Sequence, residues 1–400
     1  MANATGVAMN LAYKAESTWG TVPSASSAQL LRRLSTSLAL KKQTYQSGEI
    51  RSDYQVADFR HGVRSVEGSI SGELSPGTYE DFMAAAVRKV FASVSAITGL
   101  SLTIAASGSF YTITRASGDF ITGGLKIGDV IRITAGSVNA NNLNKNAMIV
   151  ALTTTVATVY PLNGLTLTAE GPIASCTVSV VGKKTMVPTS GHTDTSFSIE
   201  RWQSDISKSD VFSGCKINTM SVQLPATGIA GIEFGMMGKD VVTADAQYFT
   251  APTAATTSGV VAAVNGAVIV NGARVANITG MNFTLNGGMS AEPVVGSNSY
   301  PDIFEGRVTV SGQITAFFED HTYFNLFNAE SEVAVACAFT TTSAKDSDFI
   351  SFVFPRVKFG SADRDDGEKG IVQTLSFTAL YNGSGTNSDV TTFSIQDSLA

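Results

Sequence analysis

The histidines and cysteines of this 400-residue chain are the side chains best suited to nucleophilic, acid–base or metal chemistry, and their spacing supports none of it. Cys176, Cys215 and Cys337 lie far apart, are odd in number, and include no pair at metal-clamping distance in sequence. They read as neutral free thiols in a reducing compartment. Around His61, His192 and His321 there is no H-E-x-x-H, no G-x-S-x-G elbow and no glycine-rich phosphate loop. These histidines read as surface or capping residues. The acidic run DRDDGE, Asp363 to Glu368, faintly resembles a calcium loop. It lacks the ligand spacing and closing glutamate of an EF-hand. A solvated turn between strands is expected there, or a contact between subunits. No catalytic residue, cofactor or metal is expected, and the chain reads as a non-enzyme.

The elements around these residues are mostly strands. Hydrophobic residues make up 44% of the chain, enough for packed cores, while charged residues make up only 15%. Soluble domains usually carry about 25% charge. Few charges with many small and β-branched residues point to a mainly β protein that hides surface in an assembly. The length calls for two or three domains. The net charge of −6 argues against a protein that grips phosphates. No basic stretch followed by an apolar run opens the chain, and no run of about 18 apolar residues occurs, so neither a secretory signal nor a membrane span is expected.

Alternation at period two marks LSTSLAL at 34–40 and VRSVEGSISGEL at 63–74 as strands with one buried face. Between them, residues 41–62 form a long polar stretch without an apolar stripe, expected to be a loop. After the second strand, YEDFMAAAVRKV at 79–90 predicts a helix capped by Thr78, with Phe82, Ala86 and Val90 on its apolar face. Residues 92–184 change character, into short strands separated by Gly-, Asn- and Thr-rich turns, and predict an inserted small β-barrel or sandwich. Strands resume at 197–202 and 216–224, and again at 349–359 and 370–381.

One order of elements occurs twice. Val66-Glu67-Gly68-Ser69-Ile70-Ser71 is echoed by Val310-Ser311-Gly312-Gln313-Ile314-Thr315, 244 positions later. At the same offset Asp58 meets Asp302, Gly62 meets Gly306, and Thr78-Tyr79 meets Thr322-Tyr323. TGMNFTLN at 279–286 parallels LSTSLALK, residues 287–306 parallel the first long loop, and residues 322–332 again predict a helix. The expectation is two tandem folds of one kind: residues 1–91 with 185–250, and residues 251–400, with 92–184 inserted into the first. The two polar loops are the candidate contact segments between subunits, with aromatics as anchors and charges setting register. Their candidate residues are Tyr45, Glu49, Arg51, Asp53, Tyr54, Asp58, Phe59 and Arg60 in the first, and Glu292, Tyr300, Asp302, Phe304 and Glu305 in the second.

The run RSDYQVADFRHGVRSVEGSISGELSPGTYEDF at 51–82 resembles the N-terminal region of siphophage-type major tail tube proteins, most strongly in DFRHG and SVEGSISGELSPGTYEDF. The resemblance is weaker over 197–240 and the second copy, and does not cover 92–184. It implies a β-sandwich flanked by a helix, with a long loop reaching the next ring. It implies stacked rings in a virion tail, assembled in the host cytoplasm, as a conduit for DNA ejection. The implied partners are other copies of the chain, the tape-measure protein, and tip and terminator proteins. DNA would pass without sequence-specific binding. Two folds per chain imply homotrimeric, pseudo-hexameric rings, with a homohexamer as the alternative. The insert is expected on the tube exterior, and alternation offers Glu67, Ser69 or Gln313 to a lumen. A carbohydrate-binding or adhesin-like β protein is the rival reading. It would need aromatic platforms, and the insert has few aromatics: Phe110, Tyr111, Phe120 and Tyr160.

Overall fold

The alternation read in the sequence becomes two layers of sheet, each strand sending every second side chain into a shared core. The computed structural model describes residues 3–385 and 387–400, so Met1, Ala2 and Thr386 lie outside the described residues. In chain order, a 3-10 turn (Gly6–Ala8) leads to β1 (Met9–Ala15), β2 (Gln29–Leu30), β3 (Ser35–Thr36), β4 (Ala39–Gln46), β5 (Phe59–Glu73) and helix α1 (Glu80–Val87). Next come β6 (Ile97–Ser107), β7 (Phe110–Arg115), β8 (Val130–Ala135), β9 (Ala147–Leu152), β10 (Val156–Pro161) and β11 (Glu170–Val180). These six close into a barrel in the order β10-β7-β6-β11-β8-β9, around Leu102, Ile104, Ile131, Ile149 and Val159. The chain continues with β12 (Lys183–Met186), β13 (Phe197–Gln203), β14 (Lys208–Pro225), β15 (Gly231–Gly238) and β16 (Asp240–Ala244). After the 3-10 turn Ala263–Asn265 come β17 (Gly266–Val270), β18 (Ala273–Arg274), β19 (Ile278–Asn286), β20 (Thr309–Phe317) and α2 (Thr322–Asn328). The last strands are β21 (Val333–Thr340), β22 (Phe349–Phe359), β23 (Asp363–Arg364), β24 (Val372–Ala379) and β25 (Ser394–Asp397).

One layer runs β4-β5-β15-β14-β19-β20-β24 and ends on β22 and β23. The other layer is in two parts: β2-β1-β13-β14-β16, and β18-β17-β21-β22-β25-β12. β14 belongs to both layers because it bends at Gly214, whose φ of +68° favours glycine. A Cβ there would also crowd Lys239 and the Trp19 ring. The core between the layers takes Val66, Ile70, Phe82, Phe197, Phe234 and Met220 from the first half, and Phe283, Val310, Ile314, Phe352 and Phe377 from the second.

The helices are shorter than the sequence predicts. α1 stops at Val87 because Arg88 takes a left-handed conformation. Val90 is consequently exposed, not part of the apolar face. Thr78 does not cap the helix; its hydroxyl bonds Ser75 and Thr256 instead. Residues 41–62 are also not one loop. β4 and β5 pair from Ala39↔Glu67 out to Gln46↔Phe59, leaving 47–58 as a hairpin tip.

The barrel follows α1 in sequence but packs on the second half of the chain. Val130, Met148, Tyr160 and Leu162 meet Ala267, Ile269, Ala336, Ala338, Phe349 and Val353. These are the residues of β17, β21 and β22 that point away from the core. Beside this contact Lys184 is buried between Asp129 and Asp389, bonding Asp389 at 2.9 Å. Burial pushes the Asp129 carboxyl up to about 6, against the pull of Lys184. Burial alone would lower the Lys184 ammonium, but the two carboxylates raise it. Lys184→Met would leave two carboxylates facing each other without a cation. It should destabilise the subunit by about 3–5 kcal/mol in denaturant unfolding. Adding Asp129→Asn and Asp389→Asn should recover most of that loss.

Candidate assembly surface

The residues that alternate with the core-facing ones make the other side of the long layer. There β5 offers Ser65, Glu67, Ser69, Ser71 and Glu73, and β15 offers Glu233. β14 and β19 add Thr219, Ser221, Gln223, Asn282 and Thr284; β20 and β24 add Ser311, Gln313, Thr315, Thr374, Ser376 and Thr378. Hydroxyls pair across neighbouring strands, Ser35 with Ser71 at 2.7 Å and Ser221 with Thr284 at 2.9 Å, and Ser361, between β22 and β23, pairs with Ser376 of β24 at 2.9 Å. The result is a broad, weakly acidic surface of short polar side chains. The barrel lies on the opposite side of the molecule, against the outer face of the second layer.

The β4–β5 hairpin projects beyond this layer, so its outer residues are exposed on both faces. Its strands approach closely at Gly62, where a Cβ would collide with the Tyr45 ring. At the tip Ile50 is 100% and Tyr54 98% exposed, and Val56 and Phe59 are exposed beside them. The charges are neutralised locally. Arg51 grips Asp53 at 2.7 Å with Glu49 at 4.0 Å, and Arg60 bonds Asp58 at 2.8 Å. The Arg51 bond holds the Asp53 carboxyl below its usual range. Tyr45 donates to Gln43 at 2.8 Å, and Phe59 stacks edge-on against His61. The first group of candidate residues therefore shares one projecting tip, whose charges are spent within it and whose apolar side chains are bare. Ile50 and Val56 were not legible as part of this group, since single aliphatic residues in a polar stretch carry no pattern.

The second loop, 287–306, divides its candidates. Asp302 and Glu305 turn toward the chain's first half. The Lys216 ammonium, itself buried, reaches Asp302 at 3.3 Å, Asp194 at 2.8 Å and the Ile303 carbonyl at 3.0 Å. Arg88 donates to the carbonyls of Gly287 (2.7 Å) and Gly306 (2.9 Å) and lies 3.3 Å from Glu305. Burial pushes the Glu305 carboxyl up, opposed by Arg88. The loop also touches the base of the hairpin, where the Arg64 N–H donates to the Asn298 carbonyl at 2.9 Å. Glu292 and Phe304 remain exposed, with Val294 and Val295, and Tyr300 is half-buried.

Two strand edges are open in a way their counterparts are not. β19 is paired on both sides, by β14 and β20. β4, which sits beside β5 as β19 sits beside β20, has no partner along its other edge among the described residues. The far half of β14 is paired by β15 and β19. Among the described residues, the corresponding stretch at the end of β22 and through β23 is paired only by β24.

A family model described as phage tail tube protein matches residues 6–379. The chain belongs to that family. No match is found among curated proteins. A phage tail tube protein is a structural, β-rich component of the virion tail that assembles with itself, and the bare tip and open edges are surfaces suited to assembly. In this tail tube protein no group of three His, Cys, Asp or Glu side chains converges as metal ligands do, among the described residues. The three cysteines are buried and free, and burial pushes the Cys337 thiol up to about 12. The acidic run from Asp363 begins on β23, at the open edge, and continues as an exposed turn.

Tip and inner clamp should respond differently to truncation. Tyr54→Ala should leave the unfolding free energy of the isolated subunit unchanged within about 0.5 kcal/mol, because the ring touches little. Arg88→Ala should cost about 1–3 kcal/mol, because the buried Gly287 carbonyl and the half-buried Gly306 carbonyl lose a charged donor. Urea unfolding of the two variants checks both values.

Proposed function

We propose that this tail tube protein is the major tube subunit of a siphophage-type tail, and that three chains close head to tail into a pseudo-hexameric ring. The observation that carries this reading is the pairing of β14 with β19. It joins two units of matching strand order into one sheet, and it leaves one open edge of each kind at the chain's ends of that sheet. Repeating the same contact between chains would lay β4 of one copy along the end of β22 and β23 of the next. The β14–β19 register then sets Leu40 opposite Ala362, since Leu40 pairs with Val66 as Leu285 pairs with Val310. A closed ring of such sheets has no edge left to aggregate.

In this arrangement residues 1–91 with 185–250 form one tail-tube unit and residues 251–400 the other. The polar layer lines the lumen. Glu67, Glu73 and Glu233 would repel phosphates, so DNA and the tape-measure protein slide past instead of binding. The inserted domain, 92–184, then stands on the tube exterior, because it packs on the side away from the polar layer. The tip at 47–58 and the exposed part of 287–306 face the neighbouring ring, where Ile50, Tyr54, Phe59 and Phe304 bury their apolar surface. Tip and terminator proteins would cap the stack. The barrel's aromatics do not gather into a platform for a glycan: Phe120 and Tyr160 are buried, Phe110 packs edge-on against Tyr160, and Tyr111 is half-buried against the barrel core.

Electron microscopy of purified protein tests this. The wild type should form tubes of stacked rings. Ile50→Asp with Tyr54→Asp should give rings that do not stack, because each new charge would be buried at the ring interface. Undiminished tubes from the double variant would remove the tip from the inter-ring contact.

A further inference from the structure

The two halves of the chain differ at one point where their pairing otherwise matches. In the first half the Leu74 N–H donates to the Ala230 carbonyl at 2.8 Å. Val261 completes that point as a third strand: its N–H donates to the Leu74 carbonyl at 2.9 Å, and its carbonyl accepts from the Ala230 N–H at 2.9 Å. All three residues are buried. In the second half the Phe318 N–H donates to the Ile371 carbonyl at 2.8 Å. This is the same bond, one residue beyond the β20–β24 ladder as Leu74–Ala230 is one beyond β5–β15. Here the third strand is missing. Among the described residues nothing donates to the Phe318 carbonyl and nothing accepts from the Ile371 N–H. Phe317 is 49% and Ile371 42% exposed. Nearby, where Ile232 fills the first unit, the Gln373 amide nitrogen is buried without a partner.

The missing piece is present elsewhere in the sequence. Val261 lies in the segment entering β17, and β1 is the counterpart of β17. Each pairs with an inner-core strand, β13 or β21, and with a two-residue strand, β2 or β18. Each follows a 3-10 turn, closed by Ala8 N–H to the Thr5 carbonyl in one case and Asn265 N–H to the Ala262 carbonyl in the other, at 3.1 Å each. Counting back from these turns places Ala4 where Val261 stands. Ala4 is exposed, and among the described residues none hydrogen-bonds its backbone. The residues after it are fixed: Thr5 donates twice to Asp205, at 2.6 and 2.9 Å, and Arg33 donates to the Met9 carbonyl at 2.7 Å. The segment therefore leaves the body of the subunit in a set position.

We propose that Ala4 of a neighbouring copy enters the slot between Phe318 and Ile371. Its N–H donates to the Phe318 carbonyl and its carbonyl accepts from the Ile371 N–H. The side chains agree in volume, since the larger Phe318 replaces Leu74 where the smaller Ala4 replaces Val261. The proposal rests on the head-to-tail ring reading and names a contact within it. Each chain is then held to the next by an edge pairing in the sheet and by a single-residue strand at its rim.

The test is Ala4→Cys with Ile371→Cys, treated with a short bis-maleimide after assembly; the native thiols are buried and should not react. The expected product is a covalent ladder ending at the number of chains in the ring. Assembled tubes that give no ladder overturn the slot and leave the ring reading standing. Wild-type protein that never forms rings overturns both. Ala4→Pro supplies a second readout, because it removes an N–H that no described residue of its own chain hydrogen-bonds. Subunit unfolding should be unchanged, while the concentration for half-assembly should rise about tenfold. Unchanged assembly of that variant overturns the proposal.

Discussion

The pairing of β14 with β19 is the interaction on which the rest of this structure depends. A sheet edge is a row of unpaired N–H and C=O groups, and it is stable in water only if something covers it or discourages pairing. Within the chain, Thr219 to Pro225 and Gly280 to Asn286 cover one another over seven residue pairs. That contact joins strands of the first and second halves of the chain into a single layer with a single polar side. It also fixes what is left over, an open β4 at one end and an open β22–β23 at the other. The long loop at 287–306 reinforces the joint, because Arg88 and Lys216 of the first half hold its carbonyls and carboxylates.

The two sides of that layer follow from alternation and side-chain size. Core positions take Val, Ile, Leu, Met and Phe, while the opposite positions take mostly Ser, Thr, Asn and Gln, with a few Glu and with Lys41 and Lys358 near the two ends of the layer. Short hydroxyl side chains can satisfy one another across strands, as Ser35 does with Ser71 and Ser221 with Thr284. The division of labour extends to the barrel, whose contact residues sit on the face of β17, β21 and β22 that the core does not use. Small residues such as Ala336 and Ala338 let it pack closely there.

Much of this was legible in the sequence, for reasons that particular residues make plain. The mainly β class and the β-rich insert were visible because each strand buries one face. The echo of VEGSIS by VSGQIT was visible because its positions are constrained on both sides, by core and by polar surface. The matching of β1 with β17 and of β13 with β21 was not visible. Those strands share pairing geometry without sharing residues, and the insert changes the offset between them. The outer halves of β4 and β5 read as loop because, beyond the layer, neither face of the hairpin is buried and no alternation is imposed. α1 was read too long because nothing local announces that Arg88 will take a left-handed turn in order to reach Gly287 and Gly306. Asp302 and Glu305 were grouped with the exposed loop residues because the cations that engage them, Lys216 and Arg88, are distant in sequence.

The central claim, that neighbouring chains repeat the β14–β19 joint, is tested most directly by a cryo-electron microscopy map of the assembled tube that resolves strands. The account predicts a continuous lumen-lining sheet in which three chains per ring meet with Leu40 of one opposite Ala362 of the next. A ring in which β4 and the β22–β23 end remain unpaired, or in which chains meet through other surfaces, would contradict it.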